Sequence, residues 1–237
     1  LDVFQPVSNI TCTCGGSTAL LSVADATIQP TTTEEEIMET STNTHFIDHV
    51  VNGLRTTADE LEKFQLQLGL GKLEAKDMYE NLKKDYTHYS HELMLKIDQG
   101  KQMATDVRAK YDDLLVQLAL GKAETIEQFE EQRAKILAKI HEVKVAITTN
   151  PTLVKVYSEL LLLLEKLEIK LEMLRKNWKP TTDRIKEEFS ERKAQVEDLL
   201  SKLKTKLNEY GNIDERMDVF NTEMTQAFAH FKKAFAG

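Results

Sequence analysis

"PTLVKVYSELLLLLEKLEIKLEMLRKNW", residues 151–178, is the stretch that decides the fold. Leu153, Tyr157, Leu160, Leu164, Leu167, Leu171, Leu174 and Trp178 recur at alternating steps of four and three, so on a helix they share one face. Leu161–Leu163 widen that stripe, which predicts a helix lying centrally and touching more than one neighbour. Its start is marked by Asn150, suited to an N-cap, and Pro151, suited to the first helical position, where a missing N–H leaves nothing unpaired. Lys179-Pro180 stops or kinks it, because the residue before proline is driven out of the helical region.

The same period extends outward in both directions. One seam runs from Ile47 through Val50, Leu54, Thr57, Leu61 and Phe64 to Leu68. A second runs from Tyr86 and Tyr89 through Leu93, Ile97, Gly100 and Ala104 to Leu118, and a third from Ile126 through Phe129, Arg133, Ile136, Ile140 and Val143 to Ile147. Beyond residue 180 a seam links Ile185, Phe189, Arg192, Val196, Leu199, Leu203 and Tyr210. The last carries Met217, Phe220, Met224, Phe228, Phe231 and Phe235. With 9 glycines and 4 prolines in 237 residues, and none of those prolines between Pro30 and Pro151, little is available to build turns. The roughly one hundred residues of that span would reach about 150 Å as a single rod, so the chain is expected to fold back.

The expected fold is therefore all-α, an elongated bundle of about five or six amphipathic helices with coiled-coil-like heptad packing. Residues 1–32, rich in Ser, Thr and small side chains, read as a flexible or irregular N-terminal arm. Residues 33–237 read as one helical domain, with breaks near 69–71, 100, 121, 149–151, 179–182 and 211–213. Thr33-Glu34-Glu35-Glu36 fits a capping box, but the poor helix formers 41–44 put the expected start nearer Thr44. Gly211 suits a left-handed cap, and Asn212 opens the last helix.

"LGLGK" at 68–72 has the look of a phosphate loop and fails as one. The motif G-x-x-x-x-G-K-[ST] needs a preceding strand and a hydroxyl after the lysine; here a helix precedes and Leu73 follows. "LALGK" at 118–122 repeats the look. Aligning Gly71 with Gly121 pairs Gln67 with Gln117, Leu70 with Leu120, Lys72 with Lys122, Glu74 with Glu124 and Tyr79 with Phe129. This points to a duplicated helical unit of about fifty residues. Gly69–Lys72 and Gly121–Lys122 become equivalent architectural points where a helix bends, breaks or packs closely.

A net charge of −8 argues against a nucleic-acid surface, because phosphate binding needs a basic excess. No apolar run is long enough for a transmembrane segment. A first residue Leu1 rather than methionine, and the sequon Asn9-Ile10-Thr11, lead to the expectation of an extracellular glycoprotein with its signal peptide removed. Cys12 and Cys14 are too close to pair readily with each other, leaving intermolecular disulfides or free thiols.

Candidate chemistry is sparse. His45 and His49, and His88 and His91, share helix faces but lack the further ligands of a metal site. The carboxylates read as solvated faces with lysines about a turn away, no nucleophile–base pattern emerges, and no cofactor or enzymatic activity is expected. The sequence instead points to a secreted, non-enzymatic helical protein that binds a protein or an extracellular surface. The linked amphipathic helices, punctuated by proline and glycine over about residues 44–236, resemble exchangeable apolipoproteins in architecture. That resemblance implies an amphipathic lipid carrier that opens on a lipid surface. A structural, oligomerising coiled coil is the third reading. Met217, Phe220, Met224, Phe228, Phe231 and Phe235 form either a packed terminal helix or a face for a partner or lipid, with Lys232 and Lys233 at its rim.

Overall fold

The computed structural model describes residues 34–70, 74–100, 104–178, 189–209 and 216–236, and these are all-α. The arm with Asn9, Cys12 and Cys14, the Thr33 cap, Gly71, and the expected breaks at 179–182 and 211–213 lie outside the described residues. The helices are α1 (Glu34–Gly69), α2 (Ala75–Gly100), α3 (Thr105–Ala119), α4 (Ile126–Thr148), α5 (Pro151–Val156), α6 (Ser158–Asn177), α7 (Phe189–Glu209) and α8 (Met217–Ala236). That is more than the five or six expected. One addition arises at Tyr157, whose φ of −104° and ψ of 18° interrupt the 151–178 run after Asn150 and Pro151 have opened it as anticipated. The interruption has a purpose: the Tyr157 hydroxyl accepts the Ala104 N–H at 3.0 Å, holding the start of α3. Helix α1 begins at Glu34 rather than near Thr44, because a few poor helix formers cost only tenths of a kcal/mol each (about 0.5) and do not break a long helix.

Helix α6 is the hub, packing against α1, α2, α4, α5 and α8; α3 packs on α4, and α7 on α1 and α8. Its seam residues Leu160, Leu164, Leu167, Leu171 and Leu174 are buried, and so are Leu162, Leu163, Ile169 and Met173 on other sides. A helix buried on several sides must be apolar beyond a single stripe, as the leucine run requires. The α1 seam is likewise inside, including Thr57. Two positions depart from the pattern. Tyr89 is 56% exposed although it sits in the second seam. In α7 the seam residues Val196 and Leu203 are buried, but Leu199 is only partly covered while Leu200 and Leu207 are buried beside them, since a straight helix drifts off a strict seven-residue repeat.

The α3–α4 connection, Leu120–Thr125, shows how a break is held. Thr125 caps α4 by accepting the Gln128 N–H at 3.3 Å. Lys83, buried on α2, donates to the Leu120 and Gly121 carbonyls at 3.1 Å each, satisfying acceptors beyond the end of α3 where positive charge also suits the helix dipole. Its Nζ lies 2.9 Å from Glu80 Oε1 and 4.7 Å from the Tyr79 ring centroid. The Tyr79 hydroxyl donates to Gln132, and Gln132 donates to the Gly121 carbonyl, both at 3.0 Å. The repeat partners Tyr79 and Phe129 meet edge-on at 5.1 Å.

Gly121 itself is not sterically demanded, because a Cβ there would meet nothing within 4 Å. The break is thus kept by Lys83 rather than by glycine. Gly121→Ala is expected to change unfolding stability by less than about 0.5 kcal/mol, whereas Lys83→Met costs about 1–3 kcal/mol by leaving the Leu120 carbonyl and Glu80 without their cation, the Gly121 carbonyl keeping Gln132; denaturant titration of both variants checks this.

Candidate functional site

Helices α1 and α2 each pack along α6 without packing substantially on each other. Their separation leaves a groove floored by α6, formed of two cavities of about 420 and 320 Å³ that share Glu60, Tyr89, Leu163 and Lys166. The floor is apolar, with Leu163 and Leu167 from α6, Met78 and Leu82 from α2 and Phe64 from α1, while the walls are largely polar, with Asn52, Thr56, Asn81 and Asp85 among them. At Gly53 the α1 backbone comes so close to α6 that a Cβ would lie 2.6 Å from Leu162 Cδ1. Tyr89, the seam residue left exposed, stands at the groove's edge because no α1 side chain closes over it.

The chemistry sits on α6. Lys166 Nζ lies 2.8 Å from Glu60 Oε2 and Lys170 Nζ 3.7 Å from the same oxygen. The lysine side chains are only 17% and 15% exposed, so two mostly buried cations share a single carboxylate. Each also approaches an aromatic ring, Lys166 to Tyr89 at 5.8 Å and Lys170 to Phe64 at 5.2 Å. Burial pushes the Lys170 ammonium below its ordinary range, and the nearby Lys166 adds to this, while Glu60 and Asp85 offset only part of it. The opposite end of the groove carries Glu92 and Glu159, with His49 bonded to Glu159 at 2.9 Å. A cleft with an apolar floor and convergent charged groups, one of them perturbed, has the general character of a ligand site.

A larger cavity of about 610 Å³ lies between α7 and α8, over Leu199, Leu203, Ala227 and Phe231. Its mostly buried Glu223 is paired with Lys206 at 3.0 and 3.1 Å, and Asp198, Lys202 and Lys233 stand around it. What sets the α1–α2 groove apart is that two of its cations, Lys166 and Lys170, are mostly buried.

The C-terminal stripe lies elsewhere. Met217, Phe220, Phe228 and Phe231 are buried and Met224 and Phe235 partly so, with α8 packed on α6, α7, α1 and α5. Phe220 approaches Phe46 at 5.4 Å, and Phe231 meets Phe228 and Phe235 edge-on at 6.1 and 6.2 Å. The histidines do not converge: His49 pairs with Glu159 and His88 with Glu92 at 3.4 Å. Among the described residues no group of three or more His, Cys, Asp or Glu is placed to hold a metal ion, and no helix is long and apolar enough to cross a membrane. Sequence reasoning missed Lys166, Lys170 and Glu60. The available signal was Leu-Glu-Lys-Leu-Glu-Ile-Lys-Leu, two lysines four apart on a helix otherwise apolar on several sides.

A second ion cluster joins α8 to the hub. Glu168 accepts Lys232 at 2.8 Å and lies 3.5 Å from Lys144, which also pairs with Glu165. Compared with known proteins, the chain matches no family model, no curated sequence and no solved structure.

Burial works to raise the Glu168 carboxyl, but Lys232 and Lys144 outweigh it and hold it below the usual carboxylate range. A carboxyl depressed in the folded state stabilises above its unfolded pKa, and that contribution disappears as pH falls through the folded value. Glu165, pushed up by burial ahead of Lys144's opposing pull, works in the opposite sense. Glu168→Gln is therefore expected to be less stable than the parent near about pH 7, with the gap narrowing as the pH falls below the ordinary carboxylate range; thermal unfolding followed down through acid pH reads it.

Proposed function

We propose that the chain is a secreted, non-enzymatic helical protein that acts by binding, and that the α1–α2 groove over α6 is its binding site. The observation that carries this reading is the pair Lys166 and Lys170, mostly buried at the groove and sharing one carboxylate. Burying a cation without a full partner is unfavourable, so a fold that only needed stability would have apolar residues there. The extracellular location rests on the sequon at Asn9. We propose as well that the helices pack in the coiled-coil-like manner of a bundle. The alternating burial of Ile47, Val50, Leu54, Thr57 and Leu61 along α1 supports this. Since these seams are occupied within one chain, an oligomerising coiled coil is less favoured than a self-contained binder.

Opening on lipid, in the manner of an exchangeable apolipoprotein, is the second reading, and α8 is the observation that favours it. Its phenylalanines would be released as one amphipathic helix by parting the Lys232–Glu168 and Lys206–Glu223 pairs at its edge.

Anilinonaphthalene sulfonate, an amphipathic anion, probes the groove without presuming a natural ligand. The native chain is expected to bind it saturably, and Thr56→Trp, which places a large ring at the groove's edge, is expected to weaken this about tenfold. No saturable binding, or binding that Thr56→Trp leaves unchanged, overturns the groove. Clearance of phosphatidylcholine vesicles with exposure of α8 would favour the second reading.

A further inference from the structure

We infer that the groove takes an amphipathic monocarboxylate, an apolar chain ending in one carboxylate, with that carboxylate held between Lys166 and Lys170. The inference rests on the groove being the binding site and adds the class of its ligand. Charge fixes the headgroup. Around Phe64 the groove gathers Lys63, Lys166 and Lys170 against Glu60 and Asp85, three cations facing two carboxylates, which leaves one positive charge. The groups least screened by water carry the decision, and there the two lysines share Glu60 as their ion-pair partner, with the exposed Asp85 acting on Lys170 from further out. An ammonium has three protons to donate, so both lysines have room for a second acceptor where Glu60 already sits. A monoanion balances the site. A dianionic phosphate would overfill it beside Glu60 and Asp85.

The opposite end fixes the polarity. Glu92 and Glu159 line it, so a second anionic group there is repelled, and the ligand lies with its charge at the lysine end only. At the lysine end the floor is Leu163, Leu167, Met78 and Phe64, each nearly buried, and toward the acidic end Leu93, Leu162 and Leu163 continue it between Asn52, Thr56 and Thr57, a narrow apolar seat for a methylene chain. From Glu60, where the lysines meet α1, to His49 the α1 wall extends about 17 Å at 1.5 Å per residue, room for most of an extended acyl chain. The cavity volumes, about 420 and 320 Å³, fall within the usual range of ligand pockets.

Displacement of the bound dye from the full chain by palmitate, hexadecanol and hexadecyl phosphate, each below its own aggregation limit, tests this. Palmitate is expected to displace the dye at least about tenfold more strongly than hexadecanol and more strongly than hexadecyl phosphate. In Lys166→Gln/Lys170→Gln the palmitate advantage disappears while hexadecanol is unchanged. In Glu60→Gln, which removes the competing carboxylate, palmitate affinity rises several-fold. A purely structural role for these residues would not produce that gain, and this single variant keeps the test decisive if the double one fails to fold. Palmitate no tighter than hexadecanol, or a Glu60→Gln variant that binds it more weakly, overturns the ligand class. If Thr56→Trp still abolishes dye binding in that case, the groove stands and only its ligand is wrong. If neither dye nor palmitate binds, the groove fails with it.

Discussion

Everything in this fold leans on one helix that is apolar on more than one side. Burying a leucine fully is worth about 1.5–3 kcal/mol, and α6 buries leucines toward α1, α2, α4, α5 and α8 together. No other helix has so many neighbours, so the rest of the chain is arranged by where it meets α6. Even the polar residues of this helix are addressed outward to particular partners: Lys166 and Lys170 to Glu60 on α1, Glu165 to Lys144 on α4, Glu168 to Lys232 on α8, Glu172 to Arg133 on α4. Such pairs contribute little net stability beside the leucines. Their value is that a helix slipped by one residue or one turn would misplace every one of them, so they fix register where leucines alone would tolerate several.

The hub was legible in the sequence because its signal is redundant. Leu160 to Leu174 obey the helical period, and Asn150-Pro151 marks where the run begins. The kink at Tyr157 was not legible. Nothing local demands it; it answers to the Ala104 N–H, a partner fifty-three residues earlier in the chain. The same division separates the α1 seam, where periodicity and burial agree from Ile47 to Phe64, from Tyr89, whose place in its seam is correct in spacing but whose opposing wall is missing. Periodicity says which face a residue occupies and is silent about whether anything covers that face.

The groove was hidden for a related reason. A lysine on a helix is ordinarily a solvated residue, and composition gives no cause to look further. Lys166 and Lys170 become unusual only when α1 and α2 stand on either side of them. In the same way the "LGK" echo drew attention to glycine, while the group that holds the break is Lys83, from a different helix and with no motif around it. In an all-helical chain the informative polar residues are those trapped between helices, and only the tertiary arrangement identifies them.

The chain has a single tryptophan, and Trp178 stacks on Phe129 at 4.4 Å where α6 ends against α4. Phe129 in turn meets Tyr79, so one indole rests on a three-ring column drawn from α2, α4 and α6. The column does not line the α1–α2 groove. Native emission from this protein is consequently an optical gauge of how firmly the α4 start is docked to the hub. It should stay constant when the groove fills and change when the hub loosens, which lets occupancy and opening be followed as separate signals in the same cuvette.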